Sequence, residues 1–381
     1  MKKIITILFA SILGFSAVQA GEMTVTGSAQ ATYVITSSDS TTAKVNKTPG
    51  LGFANEVAFN AKGEFGNGYT WTYQIELDPE QGSGAALNDD TRLELGLGNL
   101  GTIGIYGSEG DLNTHLANSV AAYAPGHDIG STGGYQGGTG MNSYNNLQYH
   151  TPAGLLPFGT SVKLAWSNGD SKQSADANDA GTATGNDINS YQVTTKPIDG
   201  LTVGASYLEK TKSATAGNRD KYETGGAYAK YNMGQFSFGI GRHYVVPNQT
   251  NRTDAAASAV TGALVTAGTN TAVYTANRGG SATISDTVEY FQNDAISIAF
   301  AVNENLSVSY DRLVSEANAR AFATSGAGGT DIDRDLEIST VQAAYNIGGA
   351  VVALSQKSID GINYAQGANA QEFAISLKMA F

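Results

Sequence analysis

The stretch YTWTYQIELD, Tyr69 to Asp78, decides the fold class: Tyr69, Trp71, Tyr73, Ile75 and Leu77 alternate with Thr70, Thr72, Gln74, Glu76 and Asp78. A period of two places one apolar and one polar face on a single strand. The end of the chain repeats the pattern, with Phe373, Ile375, Leu377, Met379 and Phe381 on one face and Ala374, Ser376, Lys378 and Ala380 on the other. Similar stripes run through Val57 and Phe59, through Leu93, Leu95 and Leu97, through Val162, Leu164 and Trp166, and through Ile296, Ile298 and Phe300. Most of these segments are about ten residues long, which suits a tilted strand crossing a bilayer better than the five or six residues usual in soluble sheets.

Working outward from these stripes gives sixteen strand segments joined by connections of alternating length. The tight ones are Gly66-Asn67-Gly68, Asn99-Leu100-Gly101, Pro197 to Gly200, Asn232-Met233-Gly234, Asn303-Glu304-Asn305 and Ile347-Gly348, with Pro152 to Phe158 somewhat longer. The long ones fall at 37–51, 79–90, 109–142, 169–187, 212–220, 246–284, 316–333 and 358–370. Lipid offers no hydrogen-bond partners, so strands with an apolar outer face must pair all round and close. The expectation is an all-β fold, a sixteen-stranded antiparallel transmembrane β-barrel with short periplasmic turns, long extracellular loops and an aqueous lumen. The strand lengths and small inward residues weigh against a secreted sandwich, and the absence of a fixed repeat weighs against a solenoid.

Residues 1–20 read as a signal peptide: Lys2 and Lys3 precede an apolar run from Ile4 to Val18, and Val18-Gln19-Ala20 supplies the cleavage pattern. The barrel domain is then 21–381. The 381-residue chain contains 34 Asp and Glu against 22 Lys and Arg, two of the latter in the leader, so its surface repels nucleic-acid phosphates. With no Cys and with His115, His127, His150 and His243 scattered along the sequence, no zinc-finger spacing exists.

The whole mature chain resembles the trimeric general-diffusion porins of Gram-negative outer membranes. The residues that carry the resemblance are the leader, the opening strand Met23-Thr-Val-Thr-Gly-Ser-Ala, the terminal Phe381, and Leu97-Gly-Asn-Leu-Gly-Thr-Ile-Gly-Ile-Tyr-Gly followed by Ser108-Glu-Gly-Asp. The resemblance implies a homotrimer in the outer membrane, in contact with its lipid and lipopolysaccharide, with a terminal aromatic read by the assembly machinery and a third loop folded into the lumen. The chain departs from that pattern in that its longest connection is 246–284, which is therefore the rival for the inward loop.

If residues 109–142 fold inward, Glu109, Asp111 and Asp128 bring carboxylates into the lumen, and the resemblance implies basic residues on the facing wall. Alternation supplies them: Arg92 is out of phase with Leu93, Leu95 and Leu97, and Lys62, Lys163 and Lys378 are out of phase with Phe59, Leu164 and Leu377. A Lys or Arg facing lipid at the midplane costs about 2 to 4 kcal/mol, so these four should point inward. Asp331, Asp333 and Asp335 share a strand face where Ca2+ has oxygen ligands to take, although Arg334 beside them favours a plain charged rim. No other cofactor is expected. The Gly-rich run Gly130 to Gly140 lacks the strand-before, helix-after context of a phosphate loop. The expected function is passive diffusion of small hydrophilic solutes and ions with a weak cation preference and no catalysis. The alternatives are a substrate-selective porin, which needs a file of lumenal aromatics, an outer-membrane hydrolase, and a structural surface barrel.

Overall fold

A computed structural model describes residues 21–39, 44–78, 88–168, 187–210, 221–246, 274–275, 285–286, 288–321, 330–365 and 367–381. The leader lies outside these residues. The barrel strands are β1 Glu22–Asp39, β2 Lys44–Phe65, β3 Tyr69–Leu77, β4 Asn88–Gly96, β5 Thr102–Gly107, β6 Asn146–His150, β7 Ser161–Ser167 and β8 Ile188–Thr195. They continue as β9 Leu201–Lys210, β10 Tyr222–Met233, β11 Phe236–Val246, β12 Val288–Ala301, β13 Leu306–Ala321, β14 Thr330–Ile347, β15 Ala350–Asp360 and β16 Asn369–Ala380. Each pairs antiparallel with its chain neighbours, and β1 pairs with β16, so the sixteen strands close into one barrel. The final residue secures that closure: Gly27 N donates to Phe381 O at 2.9 Å and Phe381 N to Gly27 O at 3.0 Å. Of the rival connection 246–284, only Tyr274–Thr275 is described beyond its first residue, Val246, paired with Ser285–Asp286 in a small separate ribbon.

Register fixes the faces, because residues directly opposite in an antiparallel pair point the same way. One row reads Ala61, Tyr73, Leu93, Ile105, Leu147 and Trp166 across β2 to β7. Tyr73, Leu93, Ile105 and Trp166 stand 39 to 48% exposed, as do Ile298, Phe373, Ile375, Leu377 and Met379 elsewhere on this outer face. A continuous exposed apolar belt of this extent demands an apolar neighbour. The adjoining inner row reads Lys62, Thr72, Glu94, Gly104, Gln148, Ala165 and Ser190. The outer belt is interrupted at two bidentate ion pairs, Arg242 with Asp294 at 2.5 and 2.9 Å and Arg312 with Glu337 at 2.7 and 2.8 Å. Each charge there is neutralised by its neighbour.

Short connections gather on one rim and long ones on the other. At the turn after β4, Gly101 has φ +90°, and a Cβ there would stand 2.3 Å from His150 O, so no side chain fits. Several strands run past their apolar stripes toward the long-loop rim: β2 starts at Lys44, β13 continues to Ala321 and β14 begins at Thr330.

Candidate functional site

The connection between β5 and β6, residues 108–145, lies inside the barrel. Its backbone is fastened to inward-facing side chains of one strand after another. Gln192 of β8 donates to Leu112 O at 3.1 Å, and Ser206 of β9 accepts from Thr114 N at 3.1 Å. Three alternate N–H groups then find one acceptor per strand: Val120 N with Ser297 Oγ of β12 at 2.9 Å, Ala122 N with Ser309 Oγ of β13 at 2.8 Å, and Ala124 N with Gln342 Oε1 of β14 at 3.2 Å. Thr340 Oγ1 donates to Gly126 O at 3.0 Å. Wall side chains thus do for this segment what a neighbouring strand does for a sheet, satisfying backbone groups that burial would otherwise orphan.

The loop's far end sits on a buried ion pair. Lys357 of β15 and Glu372 of β16 meet at 2.9 Å with side chains 1% and 4% exposed. The ammonium donates to Ile129 O and Ser131 O, and the carboxylate accepts from Ser131 N at 3.0 Å. The chain then returns under the last long connection: Asn363 N donates to Gly133 O at 2.8 Å, and Tyr364 is buried against Phe291, its hydroxyl 2.6 Å from Ser315 Oγ. Close approach along β11 requires glycine, since a Cβ on Gly239 would lie 1.7 Å from Asn118 O.

Because the loop follows the wall from β8 to β16, open space remains toward β1 to β5. A cavity of about 620 Å³ is lined by Gln30, Thr32, Tyr123, Asp128, Ser376 and Lys378 among others. A second, of about 200 Å³, is lined by Glu22, Asn60, Lys62, Gln74, Arg92 and Glu94 among others.

The structure brings some of the expected residues together and separates others. Arg92 Nη1 meets Glu109 Oε1 at 2.9 Å, so a wall cation and a loop carboxylate are direct partners and do not face each other across open water. Lys62 pairs with Glu22 at 3.0 Å, and Glu94 accepts from Tyr106 and from Thr72 at 3.0 Å. Asp111 ties the two legs of the loop, accepting from Asn113 N at 3.0 Å and Met141 N at 3.1 Å. Asp128 lines the larger cavity with Lys378 and contacts His127 Nε2 at 3.0 Å. Burial alone would raise the Asp128 carboxyl, but His127, His115 and Lys357 outweigh it and hold it below the usual range. Lys163 stands opposite His150 and Gln192, near the short-turn rim and apart from the rest.

Asp333 and Asp335 are exposed and out of phase with the buried, inward Leu336 and Ile338, and Asp333 accepts from Asn318 at 2.7 Å. The Asp331 side chain lies outside the described residues. Among the described residues, the three ligand-type side chains with spacing for a cation are Glu56, Glu76 and Asp78, whose carboxylate oxygens lie within 4.8 Å of one another.

Sequence reasoning missed the Lys357–Glu372 pair and the convergence of three histidines. His115, His127 and His243 are far apart in the chain, yet His115 lies 6.4 Å from His127 and 5.9 Å from His243 between ring centres. No local signal could have joined them, because the docked loop is what brings them together.

No protein-family model matches the chain, and no curated protein matches it in sequence. Solved structures do match in fold. Salmonella typhi OmpF, in a complex with daunomycin, aligns over 95% of this chain and 98% of its own with TM-score 0.60 and 14% identity. An anion-selective porin from Comamonas acidovorans covers 95% and 100% with TM-score 0.59 and 12% identity. The outer membrane channel DcaP of Acinetobacter baumannii covers 97% and 99% with TM-score 0.58 and 13% identity. At such identities the likeness is one of fold, the sixteen-stranded porin-type barrel.

Proposed function

We propose that the chain is a passive diffusion channel for small hydrophilic solutes and ions in a Gram-negative outer membrane, active as a homotrimer among lipid and lipopolysaccharide and without catalytic turnover. The observation that carries this reading is the loop at 108–145: it is bonded to one half of the inner wall and leaves open space on the other half, where Gln30, Asp128, Lys378, Lys62, Arg92 and Glu94 are among the lining residues. The belt of exposed apolar side chains supplies the lipid face, and the short-turn rim, with both mature termini, is periplasmic.

A weak cation preference fits the charges on this wall. Arg92 and Lys62 are neutralised by carboxylate partners at 2.9 and 3.0 Å, and Glu56, Glu76 and Asp78 bring three further carboxylates close together. The Comamonas protein is described as anion-selective on the same fold, which fits selectivity residing in side chains and not in the barrel. A hydrolase reading has less support. His150 Nε2 contacts Gln148 at 2.8 Å, and His243 Nε2 contacts Thr224 at 3.1 Å while its Nδ1 lacks the orienting acceptor a catalytic base needs.

Proteoliposome swelling with sugars of increasing size tests the proposal. Rapid swelling with the smallest sugar and a sharp size cutoff support it; vesicles that behave as protein-free controls refute it.

A further inference from the structure

Three of the chain's four histidines meet where the inward loop crosses β11, and nothing in solute diffusion calls for them. His115 and His127 come from the loop, and His243 from the wall; Tyr135 closes the group at 6.1 Å from His115 and 5.1 Å from His127. His127 and His243 are 8% and 3% exposed. His115 Nδ1 and His243 Nδ1 are buried without a hydrogen-bond partner. Two imidazoles 5.9 Å apart in a desolvated site are tolerable while neutral and repel when charged.

The surroundings offset such a charge only in part: Asp311 Oδ2 and, opposite His243, Asn293 Oδ1 are buried acceptors without a hydrogen-bond partner. On the loop, Asp128 is already in contact with His127. From β10, Thr224 meets His243 Nε2; from β12, Asn293 spends its amide on Gln136 O. On β13, Asp311 Oδ1 is bonded to Ser297 and Ser119. Thr340 of β14 is held by Gly126 O, and Lys357 of β15 adds a positive charge that Glu372 of β16 neutralises.

Resting on the channel reading above, we propose that this cluster is an acid-released latch: protonation of His115 and His243 detaches residues 112–128 from the wall, and the freed segment obstructs the open side of the lumen. The direction follows from the geometry. The wall stands behind the segment, so the space available to it is the side toward β1 to β5.

The sign follows from linkage. Burial first, then His127, lower His115 from 6.5 to about 4 while the loop is docked. The docked state therefore keeps its full advantage above pH 6.5 and loses it as pH falls toward 4. For His115 alone the docking equilibrium weakens roughly tenfold by pH 5.5 and roughly 80-fold by pH 4.5.

The test is single-channel recording at pH 7.5 and pH 5 on three proteins: the unaltered chain, His115→Gln/His243→Asn, and Asn118→Cys/Gly241→Cys. A Cβ on Gly241 would lie 3.1 Å from Asn118 Cβ, close to disulfide range, and the chain has no other Cys. Acid should raise the closed fraction roughly 30-fold in the unaltered chain. It should leave the histidine variant and the oxidised cysteine variant unchanged, and reduction should restore the response. Acid closure that persists in the oxidised pair, or that is missing from the unaltered chain, overturns the latch even though the protein conducts. A barrel silent at every pH refutes the channel reading instead, and a spin label at Ala121→Cys then decides the latch. Its mobility rises on acidification if the segment is released, and no change refutes release.

Discussion

Lys357→Met removes the ammonium on which the far end of the inward loop rests. In the unaltered chain that group is 1% exposed, meets Glu372 at 2.9 Å and donates to two loop carbonyls, Ile129 O and Ser131 O. The variant leaves the Glu372 carboxylate, 4% exposed, with Ser131 N at 3.0 Å and Thr36 Oγ1 at 3.3 Å as its remaining bonds. Stranding one member of a buried pair costs about 3 to 5 kcal/mol. The cost falls mainly on docking of the loop, because Glu372 can recover water only if the loop lifts away. At 1.4 kcal/mol per tenfold, the opening equilibrium at residues 129–131 rises about 10² to 4 × 10³-fold. An Ile129→Cys reporter, placed at a residue 8% exposed, reads this as the labelling rate of its thiol by a methanethiosulfonate reagent in the folded barrel. Lys357→Met/Glu372→Leu should return most of the protection, since an apolar pair of similar volume is often neutral or better. Equal labelling rates with and without Lys357 would refute the role given to the pair, as would a double variant as open as the single one.

Gly239→Ala drives a methyl group to 1.7 Å from Asn118 O, an overpacking cost of about 1 to 3 kcal/mol, whereas Gly50→Ala meets nothing within 4 Å. The same Ile129→Cys reporter should label faster in the first variant and be unaffected in the second. Arg92→Gln removes one cation and releases the Glu109 carboxylate from its 2.9 Å partner, so cation preference should rise. The reversal potential across a KCl gradient should shift toward the K+ side at 0.1 M and much less at 1 M, as the Debye length falls from about 10 Å to about 3 Å. Glu109→Gln should move it the other way.

The barrel was legible because its physics is local. A stripe such as Tyr69 to Leu77 carries its own period, and turns such as Gly98 to Gly101 mark where it reverses. The strand end at Lys44 to Thr48, near the long-loop rim, was not: it stays extended by pairing alone, beyond the apolar belt, so no alternation announces it. The sequence pattern sets Arg92 and Glu109 on facing sides of the lumen, yet the short β5 returns the chain beside β4. With Tyr106 opposite Arg92, Glu109 arrives next to that guanidinium. Lys357 and Glu372 left no signal of their own, because a charged residue at an inward position reads as a solvated wall until a loop covers it. The histidine cluster is a product of docking in the same way, joining residues from the loop and from β11.

The most direct measurement is single-channel conductance in planar bilayers, comparing the intact chain with one lacking residues 130–140 of the inward loop. Stable ohmic steps from the intact chain, and larger steps from the deletion, are the predicted result. Silent bilayers from a correctly closed barrel would contradict the channel itself, and steps of unchanged size would contradict the assignment of the constriction to this loop.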